Sequence, residues 1–128
     1  MLEARQLTKF YGSVPAVQDV SFQIAPGSVL GYLGPNGSGK STTVKMLIGL
    51  LQPTHGEVRF DGRDIQHDLV AYRKHLGYVP EEPNLYPHLT GWEYLEMVGA
   101  LREMSEASLA IKAHQLLDLL ALGGSTSR

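Results

Sequence analysis

Cysteine is absent from the 128 residues. Disulfides, thiol nucleophiles and cysteine-ligated zinc are therefore excluded. Neither sign of charge dominates: eleven Lys and Arg stand against thirteen Asp and Glu, for a net charge of -2, and no block of like charge occurs. A nucleic-acid-binding surface usually needs a basic face, so no nucleic-acid partner is expected. No apolar run approaches the roughly 18 residues that span a membrane. The start, Met1-Leu2-Glu3-Ala4-Arg5, lacks the apolar core of a signal peptide. A soluble chain able to dock on a membrane protein is the expectation. No internal repeat or low-complexity segment interrupts it. The apolar content of 43% is ordinary for a globular protein, and the length suffices for one domain with a core.

The first half reads as strand-rich. Residues 2–7, 17–24 and 57–60 alternate in part between apolar and polar, and the pairs Gly12-Ser13, Pro26-Gly27 and Asp61-Gly62 supply turns between them. Residues 29–33 and 76–79 are short apolar runs, closed by Gly34 and Pro80, as buried strands would be. Between them the period changes. Val44, Leu47, Ile48 and Leu51 fall at i, i+3, i+4 and i+7, which predicts a helix over 40–51 stopped by Pro53. A short helix is expected over 68–74. The last third reads as helical. Thr90 with Glu93 forms a capping-box pattern, Ser105 can cap the next helix, and Gly123-Gly124 can end it.

The stretch "LGYLGPNGSGKSTTVKML" (30–47) carries the chemistry. Gly34 to Ser41 fits G-x-x-x-x-G-K-[ST], the P-loop or Walker A pattern, at every fixed position. Its glycines let consecutive backbone N–H groups curl toward phosphate oxygens. The helix that follows adds the partial positive charge of its N-terminus. Lys40 places a full charge between the β- and γ-phosphates, and Ser41 offers a hydroxyl to Mg²⁺, which favours oxygen ligands. An apolar strand before the loop and a periodic helix after it are the context the motif requires. Nucleoside-triphosphate binding is the function these residues imply.

The match extends beyond the loop. "LTKFYG" (7–12), the 16–62 segment and "LGYVPEEPNLYPHLTGWEYL" (76–95) together resemble the nucleotide-binding domain of ATP-binding cassette (ABC) transporters, with wording similar to the subgroup that powers bacterial export. The resemblance implies an α/β P-loop NTPase of ABC type: an antiparallel β subdomain, an incomplete parallel core sheet, and the start of a helical subdomain, all within residues 1–128. It implies ATP and Mg²⁺ as ligands. Tyr11 would stack on adenine, and Val17 would line the adenine or ribose side. Gly34, Asn36, Gly37, Ser38, Gly39, Lys40, Ser41 and Thr42 would hold the phosphates, with Ser41 also on the metal. Thr43, beside them, is expected to pack instead. The implied partners are a transmembrane permease subunit and a second nucleotide-binding domain, on the cytoplasmic face of a membrane.

One position departs from the family pattern. Glutamine usually follows "GYVP", where it ligates Mg²⁺ and links ATP to the membrane subunit; this chain has Glu81. Its carboxylate still suits the metal, so Glu81 is the candidate metal ligand and the one candidate catalytic residue. Its charge beside a γ-phosphate would weaken ATP binding when Mg²⁺ is absent. Glu81 and Glu82 also read as a solvated acidic loop. The five histidines have no ligand-like spacing and read as surface or turn residues. Trp92, Tyr94 and Leu95 read as core of the helical region, with a groove for a partner helix as the alternative.

The "LSGGQ"-type signature, the strand ending in an aspartate and the catalytic glutamate, and the switch histidine have no counterpart between Glu96 and Arg128. "ALGGSTSR" (121–128) contains Gly-Gly without the flanking residues. The chain thus reads as the N-terminal part of such a domain, with half of the nucleotide site. The parent domain would be an ATP hydrolase; this chain alone is expected not to turn ATP over. A nucleotide- or partner-binding module without turnover is the alternative. A small P-loop kinase is a third reading, opposed by Tyr11, the strand-rich start and the 77–90 segment. In the family, strands from the missing part lie between 29–33 and 76–79. Without them the chain should re-pair its strands, pair with another copy or stay partly molten, and the antiparallel part should survive best.

Overall fold

The computed structural model describes residues 1–124; the final four residues of the 121–128 stretch lie outside the described residues. The chain divides into two units, Met1–Tyr78 and the part from Val79 on.

The first unit is organised by one four-stranded sheet in the order β2-β1-β3-β4. β1 (Leu2–Tyr11), β2 (Val14–Ile24), β3 (His55–Phe60) and the short β4 (Arg63–Asp64) pair antiparallel throughout. β1 and β2 are longer than the alternation predicts because the tight turn at Gly12-Ser13 lets them pair up to Tyr11 and Val14. The register shifts after Ala4, and Gln6 takes a left-handed φ of 48° at the irregularity. Ser21 Oγ accepts from the Gln6 N–H at 2.8 Å, so the displaced donor keeps a partner. Gly56 lies across from this bulge. A Cβ there would sit 2.2 Å from the Gln6 carbonyl oxygen, so only glycine fits.

Helix α1 (Lys40–Leu47) lies on this sheet. Met46 joins Ala4, Leu7, Val17, Val58, Ile65 and Tyr72 in the core. Thr43 is also fully buried, which bears out its expected packing role. The helix ends four residues before the predicted Leu51. Ile48 caps it and Gly49, at φ 77°, turns the chain away, a glycine stop that precedes Pro53. A 3-10 turn over Ile65–His67 leads to α2 (Leu69–Lys74), capped by the Asp68 carboxylate accepting from Ala71 N–H at 3.0 Å. Tyr72 donates from its hydroxyl to the Leu47 carbonyl at 2.6 Å, and Arg73 donates to the Gly49 carbonyl at 2.5 Å. These are orphan acceptors at the C-terminal end of α1. Burial pushes the Tyr72 hydroxyl up to about 12, so it stays a donor at any physiological pH.

The two segments expected as parallel strands differ from expectation. Residues 29–33 and 76–79 form no regular element and join no sheet. Val29 is 98% exposed, Leu33 94% and Val79 92%. A strand needs a neighbour for its N–H and C=O groups, and among the described residues none runs beside them. The side chains of Val29, Leu33 and Val79 stand in solvent, whereas Tyr32 packs on Phe22 and Leu76 packs against the core. The α/β class and the antiparallel β subdomain are as the sequence implied.

The second unit is an αα-hairpin. Thr90 Oγ1 accepts from Glu93 N–H at 3.2 Å while Glu93 Oε2 accepts from Thr90 N–H at 2.7 Å, completing the predicted capping box of α3 (Gly91–Leu101). Ser105 caps α4 (Glu106–Leu119) through Ser108 N–H. Gly99 is buried where a Cβ would meet Leu109 at 2.8 Å, so the helices approach closely there. The Trp92 and His114 rings lie 5.1 Å apart. Trp92, Tyr94 and Leu95 are half-buried within this unit. α4 ends at Leu119 with Leu120 as its C-cap, before the glycines expected to end it.

Hydrogen exchange tests this layout in the isolated chain. Amides of β1, β2 and β3 are expected to be the slowest, while those of 29–33 exchange near open-chain rates in dilute protein. Protection of 29–33 equal to that of β1 in a dilute monomer would contradict the unpaired arrangement.

Candidate functional site

The glycine-rich loop is shaped by its contact with β2. Gly39 has φ 87° and Gly37 φ 84°, both in the left-handed region open to glycine. At Gly39 the constraint is doubled. An added Cβ would lie 2.4 Å from the Ala16 carbonyl oxygen and 2.9 Å from Val17 Cγ2. The loop can rest on β2 only because that side chain is missing. At the other end of the loop, a Cβ on Gly34 would lie 2.7 Å from Ser38 Oγ. Ser38 N–H donates to the Pro35 carbonyl at 3.2 Å, closing the turn between them.

Gly39 is also the N-cap of α1. No side chain caps this end, and no acidic residue occupies the first turn. The bond from Thr43 N–H to the Gly39 carbonyl, 2.9 Å, opens the helical ladder. The N–H groups of Lys40, Ser41 and Thr42 therefore precede any intrahelical acceptor. With the partial positive charge of the helix end, they form a site suited to an anion. The Lys40 ammonium folds back over the loop and donates to the Gly34 carbonyl. A phosphate oxygen would replace a neutral acceptor by a charged one, a stronger partner.

Both flanks of α1 are fixed. On the approach to the loop, Tyr32 reaches Thr43 Oγ1 at 3.3 Å, and its ring lies 5.8 Å from Phe22 of β2. At the far end stand the Tyr72 and Arg73 donors. None of these three residues was singled out from the sequence. Only a tertiary contact reveals them, because Tyr32 sits in an apolar run and Tyr72 and Arg73 in a short helix without a motif.

The first unit holds ten of the eleven predicted site residues: Tyr11, Val17, Gly34, Asn36, Gly37, Ser38, Gly39, Lys40, Ser41 and Thr42. Val17 is buried in the core with its methyl toward Gly39, so it forms the floor under the loop. Tyr11 ends β1 with its ring about half exposed. Asn36, Ser38 and Ser41 are exposed on the loop and first turn. Glu81 belongs to the second unit, exposed in a bend beside Glu82. A cavity of about 180 Å³ among Phe60, Asp64, Tyr72 and His75 contains none of these residues.

The donor types fit the implied ligands. Backbone N–H groups and an ammonium suit phosphate, an exposed tyrosine ring suits a base, and the Ser41 hydroxyl and Glu81 carboxylate are hard oxygen donors of the kind Mg²⁺ takes. Among the described residues no His, Asp and Glu cluster forms a separate metal site. None of the described helices is long and apolar enough to cross a membrane.

Comparison with known proteins points the same way. A family model described as "ABC transporter" matches residues 17–127. The chain is 35% identical over 117 residues to the ABC-type transporter ATP-binding protein EcsA of Bacillus subtilis, covering 91% of this chain and 47% of EcsA. A solved ATP-binding subunit of an ABC transporter superposes with a TM-score of 0.88 at 33% identity, over 98% of this chain and 52% of that one. The ATP-binding cassette MJ0796, solved as a dimer in a post-hydrolysis state bound to ADP and Pi, superposes with a TM-score of 0.79 at 30% identity, over 92% of this chain and 56% of its own. The chain spans about half the length of each.

The two loop glycines give a test of how the site is built. Alanine at Gly37 meets nothing within 4 Å and should cost only the left-handed backbone, about 1–2 kcal/mol. Alanine at Gly39 adds a collision with the Ala16 backbone. Urea unfolding is expected to show Gly39→Ala clearly more destabilised than Gly37→Ala. Equal losses would mean that the loop does not rest on β2.

Proposed function

The chain belongs to the ABC transporter family, and from that premise we propose that it is the ATP-binding part of a transporter ATPase subunit. In complete form that subunit couples ATP binding and hydrolysis to export across a membrane. The observation that carries the reading is the loop itself: an uncapped helix N-terminus, held on β2 by Gly39, with the Lys40 ammonium turned over it.

Each residue takes a role its chemistry supports. Tyr11 offers its exposed ring to adenine, and Val17 backs the adenine or ribose side. Gly34, Asn36, Gly37, Ser38 and Gly39 wrap the triphosphate. Lys40 moves its ammonium from the Gly34 carbonyl to phosphate oxygens, and the Ser41 and Thr42 N–H groups and hydroxyls face the same anion. Mg²⁺, when bound, neutralises phosphate charge. Ser41 and Glu81 are the oxygen donors we assign to it. Glu81, anionic where the family carries a neutral amide, makes ATP affinity more dependent on the metal. A permease subunit at the cytoplasmic face of the membrane and a second nucleotide-binding domain complete the assembly. MJ0796, dimeric with ADP and Pi, supports the second of these partners.

A second reading concerns the chain as it stands. The family's signature, acidic strand and switch histidine are not among these residues, which supports nucleotide binding without turnover. Sustained phosphate release from the pure chain, lost in Lys40→Ala, would contradict it.

Two titrations test the binding site. Lys40→Ala is expected to lose about 1.5–3 kcal/mol of ATP affinity, the range for a hydrogen bond to a charged group; unchanged affinity would remove the phosphate assignment. Tyr11→Ala should lose about 1–2 kcal/mol toward ATP by analogy with base stacking, while inorganic triphosphate binds as before. If both ligands weaken alike, Tyr11 does not contact the base.

A further inference from the structure

Tyr11 is poorly fixed by packing. It is the last residue of β1, its neighbour across the hairpin is Val14 at the tight turn, and it is 53% exposed. Among the described residues no aromatic ring packs against it. A ring meant to receive a base should already stand in the receiving orientation, since ordering it on binding subtracts from affinity.

Lys9 supplies that constraint. Its Nζ lies 5.6 Å from the centroid of the Tyr11 ring, within cation–π range. The same ammonium donates to the Gln52 carbonyl at 2.9 Å, so the tip of a normally mobile side chain is anchored. The anchor is itself stitched to β1. Thr54 N–H donates to the Thr8 carbonyl at 2.8 Å, and Phe10 N–H donates to Thr54 Oγ1 at 3.0 Å. Lys9 also stands opposite Val17 in the β1–β2 register, and Val17 is the residue whose methyl meets Gly39. One residue therefore touches the base platform, the segment after α1, and the strand position beneath the phosphate loop.

We propose that Lys9 is a positioning residue for the base site: its anchored ammonium covers one face of the Tyr11 ring and holds the ring so that a purine base stacks on the other. The inference rests on the reading of Tyr11 as the base-stacking residue. A bulk-charge role would act on any polyphosphate, whereas a positioning role acts only on ligands that carry a base.

The test compares ATP with inorganic triphosphate on the chain and its variants. Lys9→Met keeps the aliphatic stem and removes the charge and the donor. It is expected to weaken ATP about two- to fivefold, the scale of an exposed cation–π contact, and to leave triphosphate unchanged. Lys9→Arg, which keeps a cation and donors, should retain the affinity for ATP. In a Tyr11→Ala background, Lys9→Met should have no further effect on ATP, because the ring it positions is gone. Equal weakening of both ligands by Lys9→Met, no weakening of either, or a loss for ATP that persists without Tyr11 would each overturn the proposal. If Tyr11→Ala itself leaves the ratio of ATP to triphosphate affinity untouched, the base-site reading falls, and the role of Lys9 falls with it.

Discussion

Gly39 touches β2 at a point where no other residue can stand, 2.4 Å from the Ala16 carbonyl oxygen for the Cβ it lacks. Most of the site follows from that contact. It sets where α1 begins, because Gly39 is its N-cap. It decides which N–H groups are left without helical acceptors, namely those of the three residues that follow. It brings Val17 under the loop, and through the β1–β2 register it ties the loop to the strand that ends in Tyr11. A side chain at this one position would lift the loop from its floor and change all of these together.

The helix that leaves the loop has opposite ends in opposite condition. Its N-terminus is bare, with neither cap nor acidic neighbour. Its C-terminus is closed by donors from α2, the Tyr72 hydroxyl on Leu47 and the Arg73 guanidinium on Gly49. A cation at the C-terminal end and an anion at the N-terminal end are both favoured by the helix dipole. Arg73 provides the first, and no acidic side chain of the first turn provides the second.

Local signals proved the most legible in the sequence. The capping box at Thr90 and Glu93, the Ser105 cap and the glycine pattern of the loop each act within a few residues, so composition and spacing reveal them. Val44 and Ile48 fit a helical face, yet the fully buried positions on α1 are Thr43 and Met46. Part of the face the periodicity marks is left half-exposed, as an apolar face is when no layer covers it. Residues 29–33 show the same limit from the other side. They have the composition of a buried strand, but a strand is a relation between two segments, and among the described residues none pairs with them. No role for Lys9, Tyr32, Tyr72 or Arg73 is legible in the sequence, although Lys9 and Tyr32 lie within the stretches that carry the resemblance. Their contacts join segments far apart in the chain, such as Lys9 with Gln52 and Tyr72 with Leu47.

On the proposed function, the anion-suited loop held on β2 and the exposed ring at the end of β1 form one nucleotide site. Backbone amide chemical shifts recorded while ATP is added to the chain test it most directly. The largest changes are expected on residues 37–42, with smaller ones at Tyr11 and Lys9, and triphosphate alone should reproduce the first set without the second. Changes centred instead on the cavity among Phe60, Asp64, Tyr72 and His75, with the loop amides unmoved, would contradict it.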